Sequence, residues 1–129
     1  MKYLAIDYGT KRIGLAVSRE WLAEPLLVVN RVIAIQKLID VITEERPDAL
    51  VLGIADGRMV EEARAFAREV VKTLNQPLSI IEVDETLSSV EAQKRMIESG
   101  MPRSKRQGAM DHYAAAGFLQ DFLDAHKEQ

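Results

Sequence analysis

Cysteine is absent from this chain, which excludes both a disulfide framework and any thiolate metal site. Aromatic residues are few: one Trp, three Tyr and three Phe, with no run of them on which successive bases could stack. No apolar stretch approaches the ~18 residues that a membrane helix needs. The start of the chain leads directly into a strand and lacks the basic-then-apolar layout of a secretory signal, so the expected compartment is the cytoplasm. A strong excess of either charge is also missing. The net charge of −3 does not advertise a polyanion partner, although phosphate binding depends on where cations sit rather than on their sum. Repeats, low-complexity tracts and linkers are lacking too. With 129 residues, 47% hydrophobic and 29% charged, the expectation is one globular domain, residues 1–129, with a substantial core.

What is present begins with Tyr3 to Ile6 and Ile13 to Val17, two short apolar runs around the polar segment Asp7 to Arg12. This pattern predicts strand, turn and strand. Asp7 ends the first strand, where a carboxylate must meet a cation or solvent. Two readings of it stand: an Asx-type turn before Gly9, or a site residue.

Arg19 to Pro25 reads as a loop carrying the lone Trp21, which is expected to cap the core. Leu26 to Val32 reads as a third strand. Ile35, Leu38, Ile39 and Ile42 recur at helical spacing, and that helix should stop before Arg46-Pro47. Ala49 to Ile54 is a continuous apolar run, typical of a strand covered on both faces, followed by a turn at Asp56-Gly57. Ala63, Phe66, Ala67, Val70, Val71 and Leu74 mark a second amphipathic helix. A strand from Leu78 to Val83 ends at Asp84-Glu85. Ser88 and Glu91 then fit a capping box for a helix ending near Gly100. Arg103 to Arg106 reads as a basic loop, and a last helix spans about Gln107 to Lys127. The expected architecture is α/β. It is a five-stranded mixed sheet, with the first three strands antiparallel and the last two parallel to each other, and with helices on both faces.

Sites in such sheets form beyond the carboxyl ends of the strands. Asp7 and Glu85 lie there. Asp111 precedes Ala115, Phe118, Leu119 and Phe122 on one helical face, so it begins a stripe that must face the sheet; helix-dipole compensation is the alternative account of it. Three converging carboxylates would require a divalent cation, Mg²⁺ or Mn²⁺. Such ions serve phosphodiester hydrolysis, as a pair about 3.5–4 Å apart that activates water and stabilises the leaving oxygen.

The segments Asp7-Tyr8-Gly9-Thr10-Lys11-Arg12-Ile13-Gly14, Val83-Asp84-Glu85-Thr86-Leu87-Ser88-Ser89 and Asp111-His112-Tyr113-Ala114-Ala115, with Leu119-Gln120, resemble the YqgF/RuvX family over nearly the whole chain. That family comprises bacterial RNase H-like proteins, described both as Holliday junction resolvases and as nucleases that mature the 5′ end of pre-16S rRNA. The resemblance implies an RNase H-like fold and matches Asp7, Glu85 and Asp111 to the family's acidic triad. Two features depart from the pattern: the segment from Gly53 to Arg58 is shorter than usual, and His112 stands where a small polar residue is common.

Cations bracket the acids: Lys11 and Arg12 beside Asp7, and Arg103, Lys105 and Arg106 ahead of Asp111. With Thr10 and Ser88 they are the nucleic-acid-binding candidates, while Lys94 and Arg95 read as solvated. Gly9 reads as room for a backbone approaching metal or phosphate. The partner is then a structured RNA or a branched DNA, recognised by shape and backbone. Junction resolution would add a symmetric homodimer, with Trp21 and Met101 as interface candidates. Asp-x-Gly-Thr also opens the phosphate segment of actin-like ATPases, but those need two such halves. A non-catalytic binding module is the third reading, and the complete triad counts against it.

Overall fold

The computed structural model describes residues 1–9, 11–54, 59–84 and 103–127, with backbone alone for 103–113 and 127. Five strands form one sheet among these residues: β1 (Tyr3–Tyr8), β2 (Arg12–Arg19), β3 (Leu22–Asn30), β4 (Ala49–Ile54) and β5 (Ser79–Asp84). Their order is β3-β2-β1-β4-β5. β1 is antiparallel to β2 and parallel to β4, β2 is antiparallel to β3, and β4 is parallel to β5. The carboxyl ends of β1, β3, β4 and β5 therefore share one edge. Among the described residues three α-helices accompany the sheet: α1 (Ala34–Glu45), α2 (Val60–Leu74) and α3 (Arg103–Lys127). Among the described residues no helix is long and apolar enough to cross a membrane.

Strand alternation sorts the core into two layers. Leu4, Ile6, Leu15, Leu50 and Leu52 project to one face and pack with Leu38 of α1 and with Ala63, Ala67 and Val70 of α2. Tyr3, Ala5, Ala16, Ala49 and Val51 project to the other and meet Ala115, Phe118, Leu119, Phe122 and Leu123 of α3. The second layer is rich in alanine, so α3 can approach the sheet closely. Phe118 and Leu119 fill what space remains, at 1% and 0% exposure. Each such side chain contributes roughly 1.5–3 kcal/mol. Phe122 meets the Tyr3 ring edge-on at 4.9 Å between centroids, which places the C-terminal half of α3 over the start of β1.

Helix ends follow local chemistry. Arg46 and Asn75 take left-handed geometry (φ 51° and 58°). Their N–H groups donate back into the last turns of α1 and α2, shortly before Pro47 and Pro77, which could not continue a helix.

The largest departures from the sequence reading are at β3, Trp21 and the start of α3. The third strand starts at Leu22 and stops at Asn30, with Arg31–Ile33 forming a single 3-10 turn. Pro25 is accommodated because β3 is an edge strand and the β2–β3 register slips between Leu15 and Ala16, opposite it. Trp21, expected to cap the core, sits at the tip of the β2–β3 connection and is 48% exposed. Arg103 to Arg106 form the first turn of α3 rather than a loop. Cations at a helix start oppose the macrodipole, which hid the helix, yet Lys and Arg are good helix formers. The Asp56-Gly57 turn, the capping box at Ser88 and Glu91 with its helix to Gly100, Lys94, Arg95 and Met101 lie outside the described residues.

Candidate active site

Asp7 occupies the central strand, on the face that carries Tyr3 and Ala5 and is covered by α3. Its cross-strand neighbours are Gly14 on β2 and Gly53 on β4. Neither has a side chain, so the two paired strands place no side chain directly beside the Asp7 carboxylate on that face. The residue is partly exposed, at the edge where the carboxyl ends gather.

Asp84, at the end of β5, is a second described acid at this edge of the sheet. Ile81 and Val83 belong to the α3 layer, whereas Glu82 pairs with Arg64 of α2 at 2.9 Å. Alternation thus puts Asp84 on the α1/α2 face, away from Asp7.

The turn after β1 is tightly held. The Gly9 N–H donates to the Arg12 carbonyl at 3.0 Å, and a Cβ on Gly9 would lie 2.5 Å from that same oxygen. Gly9 is thus required by closure of its own turn, a reason independent of any approach to metal or phosphate. Tyr8 points to the opposite face from Asp7, packing against Phe66 (5.1 Å between ring centroids) and beneath the Arg31 guanidinium (4.8 Å to the centroid). Arg31 also donates its backbone N–H to the Lys11 carbonyl at 3.1 Å and pairs with Glu62 at 2.9 Å. The 3-10 turn and the β1–β2 turn are therefore fastened together, with Lys11 and Arg12 exposed between them and solvent.

Of the residues expected at the site, Asp7, Lys11 and Arg12 come together at one edge of the sheet. Asp111 lies on α3 one helical turn before the buried Ala115, and Arg103, Lys105 and Arg106 open that helix. The side chains of these four and of His112 lie outside the described residues, as do Glu85, Thr10 and Ser88. Among the described residues no three His, Asp or Glu side chains are placed to hold a metal ion. Arg31, Gly14 and Gly53 were not singled out by sequence reasoning. The glycines carried a usable signal, since each stands beside the acid once the strands are aligned. Arg31 was hidden inside what read as a strand.

Gln120, the last residue of the third resemblance, has an architectural role. Its side-chain oxygen accepts from the Ala23 N–H at 2.8 Å, and its amide donates to the Trp21 carbonyl and to Asp124, both at 2.9 Å. It ties α3 to the outer edge of β3.

Comparison with known proteins gives a consistent picture. A protein of Roseobacter denitrificans named "Putative pre-16S rRNA nuclease" is 36% identical over 94% of this chain and 81% of its own length. One of the same name from Lawsonia intracellularis is 31% identical over 100% of this chain and 97% of its own. Among solved structures, T. thermophilus RuvC in complex with a Holliday junction substrate superimposes with a TM-score of 0.61 at 19% identity, covering 100% of this chain and 97% of that one. The Fowlpox virus resolvase in complex with Holliday junction DNA also gives 0.61, at 13% identity and 98% and 99% coverage. At such identities these structures establish the fold, which is RNase H-like. Residues 1–125 match the family described as "RuvX: Holliday junction resolvase", and the chain belongs to that family, also called YqgF.

Proposed function

We propose that this nuclease cleaves phosphodiester bonds at the 5′ end of pre-16S rRNA, the substrate for which its sequence relatives are named. The observation that carries the reading is the setting of Asp7: a partly exposed carboxylate next to the end of the central strand, flanked by two glycines, on the face covered by α3 and near Lys11 and Arg12. A hard oxygen donor with open flanks suits a divalent cation. In this reading Asp7, Glu85 and Asp111 hold Mg²⁺ or Mn²⁺ together. Helical arithmetic supports the third member. Phe122 sits over Tyr3, Asp111 lies about 16.5 Å back along the helix, and Asp7 about 13 Å along the strand from Tyr3.

When bound, the metal supplies an activated water and neutralises charge on the reacting phosphate. The protein's own part is to hold the carboxylates rigidly, exclude bulk from the flanks of Asp7 by glycine, and steer the backbone with Lys11 and Arg12. Arg103, Lys105 and Arg106, with Thr10 and Ser88, are proposed as further backbone contacts.

The family description favours a second reading, resolution of branched DNA. It needs two coordinated nicks and hence a two-fold dimer. A single assay separates the two: wild-type protein and Asp7→Asn are incubated with Mn²⁺ and either a 5′-extended pre-16S rRNA fragment or a four-way junction. Cleavage of the RNA at one position, lost about 100-fold or more in Asp7→Asn, supports the proposal. Paired symmetric nicks in the junction with intact RNA would replace it by the second reading. Equal activity in the variant would sink the site.

A further inference from the structure

The corner between β3 and α1 combines two features that ordinary surfaces keep apart. Lys11, Asn30, Arg31 and Val32 line a shallow open depression of about 530 Å³, at the edge of the sheet that carries Asp7. On its rim the 3-10 turn exposes two branched apolar side chains in succession, Val32 at 91% and Ile33 at 51%. The backbone beneath them is fixed. Asn30 Oδ1 accepts from the Val32 N–H at 2.9 Å, the Arg31 N–H is held by Lys11, and the Arg31 guanidinium is stacked on Tyr8 and paired with Glu62. A rigid turn thus presents an apolar tip beside cations.

We propose that this corner engages the nucleic-acid substrate at a duplex end, with Val32 packed against the outermost base pair and Lys11 and Arg31 on the phosphates of the strand that departs from it. The inference rests on the nuclease reading and deepens it, naming a duplex–single-strand boundary as the structure recognised. Charge complementarity selects the occupant: two cations flank the tip, and a third, Arg12, begins the neighbouring strand β2, paired with Asn30. Apolar side chains used as wedges against base steps are a general device in proteins that hold nucleic acid chiefly by its backbone, and cations beside them set register without reading sequence. Phosphates held here would lead the departing strand along the same sheet edge towards Asp7.

The test is equilibrium binding in EDTA, so that cleavage plays no part, using fluorescein-labelled RNA hairpins with and without a 5′ single-stranded tail. Wild-type protein should prefer the tailed hairpin. Val32→Ser should weaken both hairpins about fivefold, the scale of one small apolar contact at the terminal base pair that both share, with the melting temperature unchanged because the side chain is solvent-exposed. Lys11→Gln should weaken the tailed hairpin selectively, reducing the preference for it, and lower the slope of its log affinity against log salt by about one. Unchanged affinity for both hairpins in Val32→Ser, or an unchanged tailed-to-blunt ratio and salt slope in Lys11→Gln, would overturn the inference and leave the corner to a protein surface. Wild-type protein that binds neither RNA would instead overturn the nuclease substrate itself.

Discussion

Asp7 of β1 lies directly beside Gly53 of β4 in parallel register. Gly14 on its other side completes a gap in the sheet surface one acid wide. A valine at position 53 would project from the same face as the carboxylate, at the separation typical of cross-strand neighbours. It would crowd the carboxylate and desolvate it, without touching the leucine layer on the opposite face. Gly53→Val is therefore expected to lower cleavage about tenfold or more while RNA binding in EDTA stays within about twofold. Parallel loss of both would mean that position 53 matters only to folding.

The β1–β2 turn makes an independent prediction. Any Cβ at position 9 meets the Arg12 carbonyl at 2.5 Å, and that oxygen belongs to backbone fixed by the β2–β3 ladder. Gly9→Ala must open the turn and stretch the 3.0 Å Gly9–Arg12 hydrogen bond. A cost of about 1–3 kcal/mol is expected, in the range of overpacked sites. Denaturant unfolding reads it directly, and a variant as stable as the wild type would show that the turn relaxes freely.

Most of the fold was legible because its signals are local or periodic. The buried run at Ala49 to Ile54, the helical stripes of α1 and α2, and the proline stop at Pro47 each report their own element. Asp7 stood out because a carboxylate ending an apolar run demands an explanation. What escaped depended on pairing. Pro25 looked like a strand breaker until the edge position of β3 and its register slip made it harmless. Gly9 pointed to a ligand, and the constraint from the carbonyl three residues on could not be seen without the turn's geometry. Arg31 drew no notice because its partners, Tyr8, Lys11 and Glu62, are scattered along the chain. Gly14 and Gly53 gain meaning only from a register that composition cannot supply. The site's other two acids rest on the resemblance of their motifs to the family.

Gln120 offers a test of how α3 is seated. Three hydrogen bonds converge on one side-chain amide, two of them to backbone groups of Trp21 and Ala23 at the outer edge of the sheet. Replacement by leucine keeps the bulk but leaves that N–H and carbonyl without their partner. The expected loss is about 1–3 kcal/mol, accompanied by a change in Trp21 fluorescence, since the indole sits on the loosened segment. Phe118→Ala, in the core of the same interface, should cost about 3–5 kcal/mol with no selective effect on Trp21. Equal fluorescence responses in the two variants would argue against a specific clamp at Gln120.

Acid sensitivity should trace in part to Glu45, at the end of α1. Its carboxylate Oε1 receives Lys2 Nζ at 2.9 Å and Arg19 Nη1 at 2.8 Å, joining the start of β1 and the end of β2 to the helix. The Lys2 ammonium foremost, then the Arg19 guanidinium, hold the Glu45 carboxyl below its ordinary value, against burial, which pushes it the other way. A carboxyl depressed in the folded state contributes stability that is fully present above its unfolded pKa, about 4.3. That contribution is lost as pH falls through the lower folded value. Glu45→Gln should therefore melt below the wild type at pH 7, and the two curves should converge as the pH drops beneath about 4. A gap that persists undiminished at acid pH would mean that packing of the side chain, rather than its charge, joins these elements.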